Sequence, residues 1–410
     1  MSSERTIQDG QQEGALKIAK LTFWEAVMMI VGANIGSGIL GLAFASAKAG
    51  WPILVIWLVV AGFFTTISML YVAETTLRTR VPLQLPGLAE KYVGKVGSWL
   101  IFISVAANAI GCLIAYTNGS GRIISAALGV SNQVGSLIFT VPAVIIVWLG
   151  LKATGIAEKL ISWGMVVLVL VIIVASFFAP NAKFNNVIYM NWTFAVPVFN
   201  VAVFCYIAQY LVPELARGLR HSPKHLSPSI ILGMVMTGIL LVLVPLSVLA
   251  LTGPEKVTQV ATIAWGQALG QWAFFVANLF ALCAMITSYW AVGGTFLTNI
   301  VDKFKFKSEK DFKTRFIILL IVIIPPFVLA YSGLVSFVDA IYLAGTFGGV
   351  IMAILPAWML RASRKKGDME PEWKCGWFAH PALMVIMIVL FCGAGVYAIL
   401  SLFKLLPAAW

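Results

Sequence analysis

The segment 31-VGANIGSGILGLAFA-45 sets Gly32, Gly36, Gly38 and Gly41, with Asn34 and Ser37 among them, inside an otherwise apolar run. Each interior glycine costs a helix about 0.5–1 kcal/mol relative to alanine, so the run is expected to break rather than continue as one helix. Within a membrane, a break frees amide and carbonyl groups, which are tolerated only where they line a cavity or meet a ligand. The helical piece that resumes near Ser37 turns its free N–H groups and positive dipole end toward an anion such as a carboxylate. Carbonyls before the break face a cation. The same glycines also suit close packing of the G-x-x-x-G kind, while Asn34 and Ser37 favour a ligand.

Other polar groups at membrane depth extend the chemistry. Asn108, Cys112 and Tyr116 recur at i, i+4 and i+8 and share one helix face. With Phe204, Tyr206, Tyr289 and Trp290 they are expected to line a pocket for a substrate side chain, packing being the alternative for each. Glu25, Glu74 and Glu214 lie near expected cytoplasmic helix ends, where Arg78, Lys159 or Arg217 pair with them as an inner gate, and Asp339 stands as an outer gate. His221, His225 and His380 fall at loops or a helix edge, with no acid–histidine–nucleophile set at depth, so an enzyme is not expected. The five cysteines form no CxxC pair and read as packing residues; no cofactor is implied.

The elements that must hold these groups follow from composition. Of the 410 residues 60% are hydrophobic and 11% charged, against roughly 25% charged in a soluble domain. The chain reads as an all-α polytopic membrane protein. Hydropathy sets eleven transmembrane helices near 22–47, 52–78, 96–127, 133–151, 157–178, 192–216, 226–252, 269–300, 314–332, 335–361 and 379–403. No repeating ten-residue alternation of a membrane β-barrel occurs. The net charge of +12 is a topology signal: most of the 28 Lys and Arg sort to alternate loops, which puts the N-terminus in the cytoplasm and the C-terminus outside. The basic excess attracts anionic lipid of the bilayer, and no nucleic-acid partner is expected. A channel reading lacks a filter-like segment.

Eleven spans divide as five, five and one: a cytoplasmic tail 1–21, a first repeat 22–178, an inverted second repeat 192–361, and an extra helix 379–404. An odd number of spans per half inverts the second, the architecture of many secondary transporters, whose site lies where the first helix of each half is interrupted. Helix 6 in this scheme, 197-PVFNVAVFCYIAQYLVPEL-215, is bracketed by Pro197 and Pro213 and contains no glycine, so its break is the weaker expectation.

The run 32-GANIGSGILGLAFASAKAGW-51 resembles the first helix of the amino acid/auxin permease family, including its bacterial aromatic amino acid permease relatives, within the amino acid–polyamine–cation superfamily. The segments 281-ALCAMITSYWAVGGTFLTNIVD-302 and 343-LAGTFGGVIMAILPAWML-360 resemble that family's helices 8 and 10. The resemblance implies a leucine-transporter-like fold and a symporter in the cell membrane, importing a neutral L-amino acid, aromatic ones included, by alternating access. The carboxylate is implied at Gly36, Ser37 and Gly38, and the ammonium at carbonyls of Ala33, Asn34 and of Phe199, Asn200 and Ala202. Sodium-coupled relatives imply an ion between Gly32 and Ile35 carbonyls and the Thr287 and Ser288 hydroxyls; back-bonding of those hydroxyls along their own helix is the alternative. Proton-coupled relatives place a lysine within helix 5. Here Glu158 and Lys159 stand only at its start, which leans the coupling ion to Na+ over H+. Exchange of another small amine, or an amino acid sensor that does not transport, are the competing readings, and the oligomeric state stays open.

Overall fold

The computed structural model describes residues 20–149, 155–304, 306 and 312–406, and among these every regular element is helical. The first apolar run is two helices, α1 (Phe23–Asn34) and α2 (Ser37–Ser46), bent by 48° at Ile35–Gly36. They are followed by α3 (Trp51–Leu77), a short α4 (Leu85–Val93), α5 (Lys95–Leu128), α6 (Asn132–Leu149) and α7 (Gly155–Phe177). The second half has α8 (Ala195–Phe204), α9 (Val212–Gly218), α10 (Leu226–Thr252), the short α11 (Ala261–Leu269), α12 (Gln271–Lys303) and α13 (Phe312–Tyr331). Then α14 (Phe337–Leu343) passes through a π-helical stretch, Ala344–Gly349, into α15 (Val350–Lys366), and α16 (Pro381–Leu402) closes the chain.

Eight of these helical runs are long and apolar enough to cross a bilayer, nine when the bent pair counts as one span. The spans expected at 133–151 and 157–178 fall on α6 and α7, whose junction, with the Glu158 and Lys159 side chains, lies outside the described residues. The segment expected to lie along the cytoplasmic surface, 83–97, is the amphipathic α4. It ends at Gly94, where φ is +86°, a value glycine adopts without strain.

Burial separates centre from rim. In the apolar window of Trp192–Gly218, 83% of residues are buried, against 28% for Pro381–Leu402 and 33% for Phe312–Tyr331. The two interrupted runs therefore occupy the interior: α1 and α2 lie against α10, α3 packs on α8, α9 and α10, and α2 meets α8. Both ends of the first run are tied to the second half or to the loop before it. The Leu21 N–H donates to the Gly218 carbonyl at 3.0 Å, the Asn191 N–H to Ala49 at 2.8 Å, and the Tyr189 hydroxyl to the Ala47 carbonyl.

Candidate functional site

The break in the first run is a backbone event. Ile35 leaves the helical region at ψ 65° and Gly36 stands at φ −110°, ψ −142°. Two polar side chains flank it. Asn34 is 4% exposed; its amide donates to the Met234 thioether at 3.4 Å, and its Oδ1 has no partner. Ser37 is fully buried and its hydroxyl has no partner either. A buried polar atom left unpaired costs about 1–3 kcal/mol, so two at one break mark a place arranged to be completed by something else. Ala33 and Gly36 remain accessible beside them.

The second interruption is real although glycine-free. Helix α8 ends at Phe204, and residues 205–208 are non-helical before a 3-10 turn, Gln209–Leu211. The Tyr206 and Ile207 N–H groups fall back on the Val203 and Phe204 carbonyls, three residues earlier, so the ladder shortens there. Pro213 stands in the first turn of α9, where it fits, and it withholds the N–H that a continuous helix would give to the Gln209 carbonyl. Gln209 is fully buried with neither end of its amide partnered.

Gly38 joins the two breaks. A Cβ there would stand 2.6 Å from the Cys205 sulfur and 3.0 Å from the Phe204 ring, so only a glycine lets α2 approach the end of α8 this closely. A third and a fourth element close the site. A Cβ at Gly36 would lie 3.4 Å from the Tyr116 hydroxyl of α5, and that hydroxyl neighbours the side chains of Cys112 and, on α12, Ser288. Gly36, Ser37, Gly38, Cys112, Tyr116, Phe204 and Ser288 thus converge, and the sequence singled out every one of them.

Other expected site residues lie elsewhere. Phe199, Asn200 and Ala202 sit within the continuous part of α8, before the break. Phe199 packs on Trp57 and Phe391, with ring centroids 5.0 and 5.5 Å away, and the Asn200 amide donates to the Ala394 carbonyl at 3.4 Å. Tyr206 turns outward between α3 and α10. Asn108 lies against Gly348 of the π-helical stretch. Tyr289 is fully buried against Phe139, at 5.7 Å, while Trp290 is half-buried. Gly32 precedes the break inside α1, next to the accessible Ala33. The Thr287 hydroxyl donates to the Cys283 and Ala284 carbonyls, both at 3.0 Å, and so back-bonds along α12.

The acidic residues have local work. Glu25 and Asp339 complete capping boxes with Thr22 and Ser336. Glu74, fully buried, accepts from Arg78 at 3.0 Å, from Arg364 twice at 2.8 Å and from the Cys375 N–H at 2.7 Å. Glu214 carries charge beside Arg217, whose Nε and Nη1 are buried without a partner. Outside the spanning helices, Asp368 bonds Lys91 and accepts the Arg80 N–H at 3.0 Å. Lys91 first, then that N–H, lowers its pKa below the usual 3.8. Among the described residues no group of three His, Cys, Asp or Glu gathers that would hold a metal ion.

Missed in the sequence were Met234, which holds Asn34 from 200 positions away, and Tyr210, which neighbours Tyr116. Gln209 stands out there as a polar residue within the 197–215 run, without being assigned to the site.

Interrupted apolar helices meeting at the centre of a multi-pass bundle suit a membrane permease. A model of the tryptophan/tyrosine permease family matches residues 19–400, and the chain belongs to that family. Similar proteins include the tryptophan-specific transport protein of Haemophilus influenzae, 26% identical over 368 residues and covering 83% of this chain and 87% of the relative. Those of Pseudomonas aeruginosa (24% identical; 88% and 90% covered) and Shigella flexneri (26%; 93% and 95%) carry the same description.

Proposed function

We propose that the protein is a secondary active importer of tryptophan, working by alternating access as a cation symporter. The observation that carries this reading is the pair of unpartnered, buried polar atoms, Asn34 Oδ1 and Ser37 Oγ, at a helix break that faces a second break. The substrate carboxylate meets the N–H groups of Gly36, Ser37 and Gly38 at the start of α2, where the helix dipole is positive. Its ammonium meets carbonyls at the end of α1, around Ala33 and Asn34, and those freed at 205–208. The aromatic side chain lies toward Tyr116, Phe204 and Trp290; relatives described as tryptophan-specific support an indole there. Sodium is the favoured coupling ion, held by the Gly32 and Ile35 carbonyls with Ser288 and Thr287; the Thr287 hydroxyl oxygen keeps a lone pair free while its proton back-bonds. Eleven spans in an inverted five-plus-five repeat with one extra helix, the N-terminus in the cytoplasm and the C-terminus outside, complete the proposal.

Purified protein in liposomes, given a panel of twenty amino acids under separate sodium and proton gradients, is expected to accumulate tryptophan under the sodium gradient. Accumulation driven only by protons reassigns the ion, and no uptake of any aromatic amino acid by folded protein overturns the reading.

A further inference from the structure

A groove of about 550 Å³ runs between α3 and α10, away from the two-break site. Its lips are Val59, Val235 and Ile239, 64%, 52% and 54% exposed in the middle of long apolar helices, so it opens sideways into hydrocarbon. From Leu58 to Leu70 the wall on α3 spans thirteen residues, about 18 Å over the rises between them at 1.5 Å each. That matches the roughly 15 Å hydrocarbon depth of one leaflet. The Tyr206 hydroxyl reaches in from the floor. Gly62 and Gly238 admit its ring: a Cβ on either would lie 3.0 Å from it. Two hydroxyls among apolar walls, Tyr206 and a Thr66 that already donates to the Gly62 carbonyl at 2.6 Å, cannot satisfy a zwitterion, which rules the groove out as an amino acid site.

The floor touches both breaks. Tyr206 belongs to the interruption after α8, and Met234, also in the lining, holds the Asn34 amide at the end of α1. The groove ends at Leu70, Ile231 and Phe378; Ile231 lies five residues into α10, and the turn that precedes this helix carries Arg220, His221 and Lys224, all exposed. Trp377, next to Phe378 in the chain, is 67% exposed, as suits a tryptophan at the membrane interface. A cationic turn beside an apolar slot one leaflet deep fits an anionic headgroup with its chain.

We propose that this groove takes one acyl chain of an anionic phospholipid, whose headgroup sits on the 220–224 turn and whose chain rests against Tyr206 and Met234, bracing both breaks. The leaflet is the cytoplasmic one in the orientation proposed above. The test reads lipid retention and so stands whether or not tryptophan is the transported solute. Delipidated full-length protein is incubated with phosphatidylglycerol or phosphatidylethanolamine and weighed intact by native mass spectrometry. Wild type is expected to retain one phosphatidylglycerol. Ile239→Trp and Val235→Trp, which fill the groove from its exposed lip, lose it, and Val328→Trp, at a lipid-facing position on α13, keeps it. Lys224→Glu loses the preference for phosphatidylglycerol. Retention by both groove variants equal to wild type, or no retention by wild type, overturns the site. A dimer that the groove variants split while their lipid stays bound gives the groove to a second copy instead. A preference unchanged in Lys224→Glu overturns the headgroup assignment.

Discussion

At the scale of single residues, the site consists of atoms that the protein leaves unfinished. Ser37→Ala and Tyr116→Phe each remove one hydroxyl beside Gly36, and each is expected to weaken tryptophan binding about tenfold, equivalent to about 1.4 kcal/mol. Equilibrium binding of radiolabelled tryptophan to purified protein checks this, and unchanged affinity in both removes these two hydroxyls from the substrate site. Gly38→Leu should abolish binding outright, because its Cβ alone would stand 2.6 Å from the Cys205 sulfur. The glycine break was legible because Gly32, Gly36, Gly38 and Gly41 oppose helix by local chemistry. The second break was legible only as an interruption between Pro197 and Pro213; its place at 205–208 was not. The Phe199 and Asn200 side chains face α16 and α3, which the sequence did not show; its reading placed the carbonyls of Phe199, Asn200 and Ala202 at the substrate ammonium.

At the scale of elements, Glu74 fastens α3 to α15 and to the loop that follows it. Glu74→Ala leaves Arg78, whose side chain is 7% exposed, short of its main counter-charge. A loss of about 3–5 kcal/mol is expected, read as a lowered unfolding midpoint in detergent. The sequence paired Glu74 with Arg78 one turn away, but Arg364 and Cys375 lie 290 and 301 positions on, beyond any local rule. The Asp368–Lys91 contact carries a pH signature. Because the folded pKa lies below the unfolded 3.8, its contribution is present above about pH 4 and is lost as pH falls through the folded value. Asp368→Asn should therefore cost a small amount, about 0.2–1 kcal/mol, at pH 7 and nothing additional in strong acid; equal shifts at both pH values reject the contact.

At the scale of the whole molecule, the apolar runs were readable because a bilayer demands about 20 consecutive apolar residues, a pattern needing no tertiary information. Which runs form the centre was not, since hydropathy does not track burial: Gln271–Val301 is no more apolar than Trp192–Gly218, yet 39% of its window is buried against 83%. The orientation has its own test: a tag placed before Lys20 should be reached by antibody only after the membrane is permeabilised, and one after Leu406 without it. The first run is pinned at both tips, by Gly218 at one end and by Tyr189 and Asn191 at the other, and hinged at Ile35–Gly36. Its two breaks can part only if a tip lets go or the hinge straightens. Cys205 lies under Gly38 at that seam, 1% exposed. The rate at which a small maleimide consumes this thiol is thus a stopwatch for the seam, present in the unlabelled chain, and a bound solute that clamps the seam should slow it.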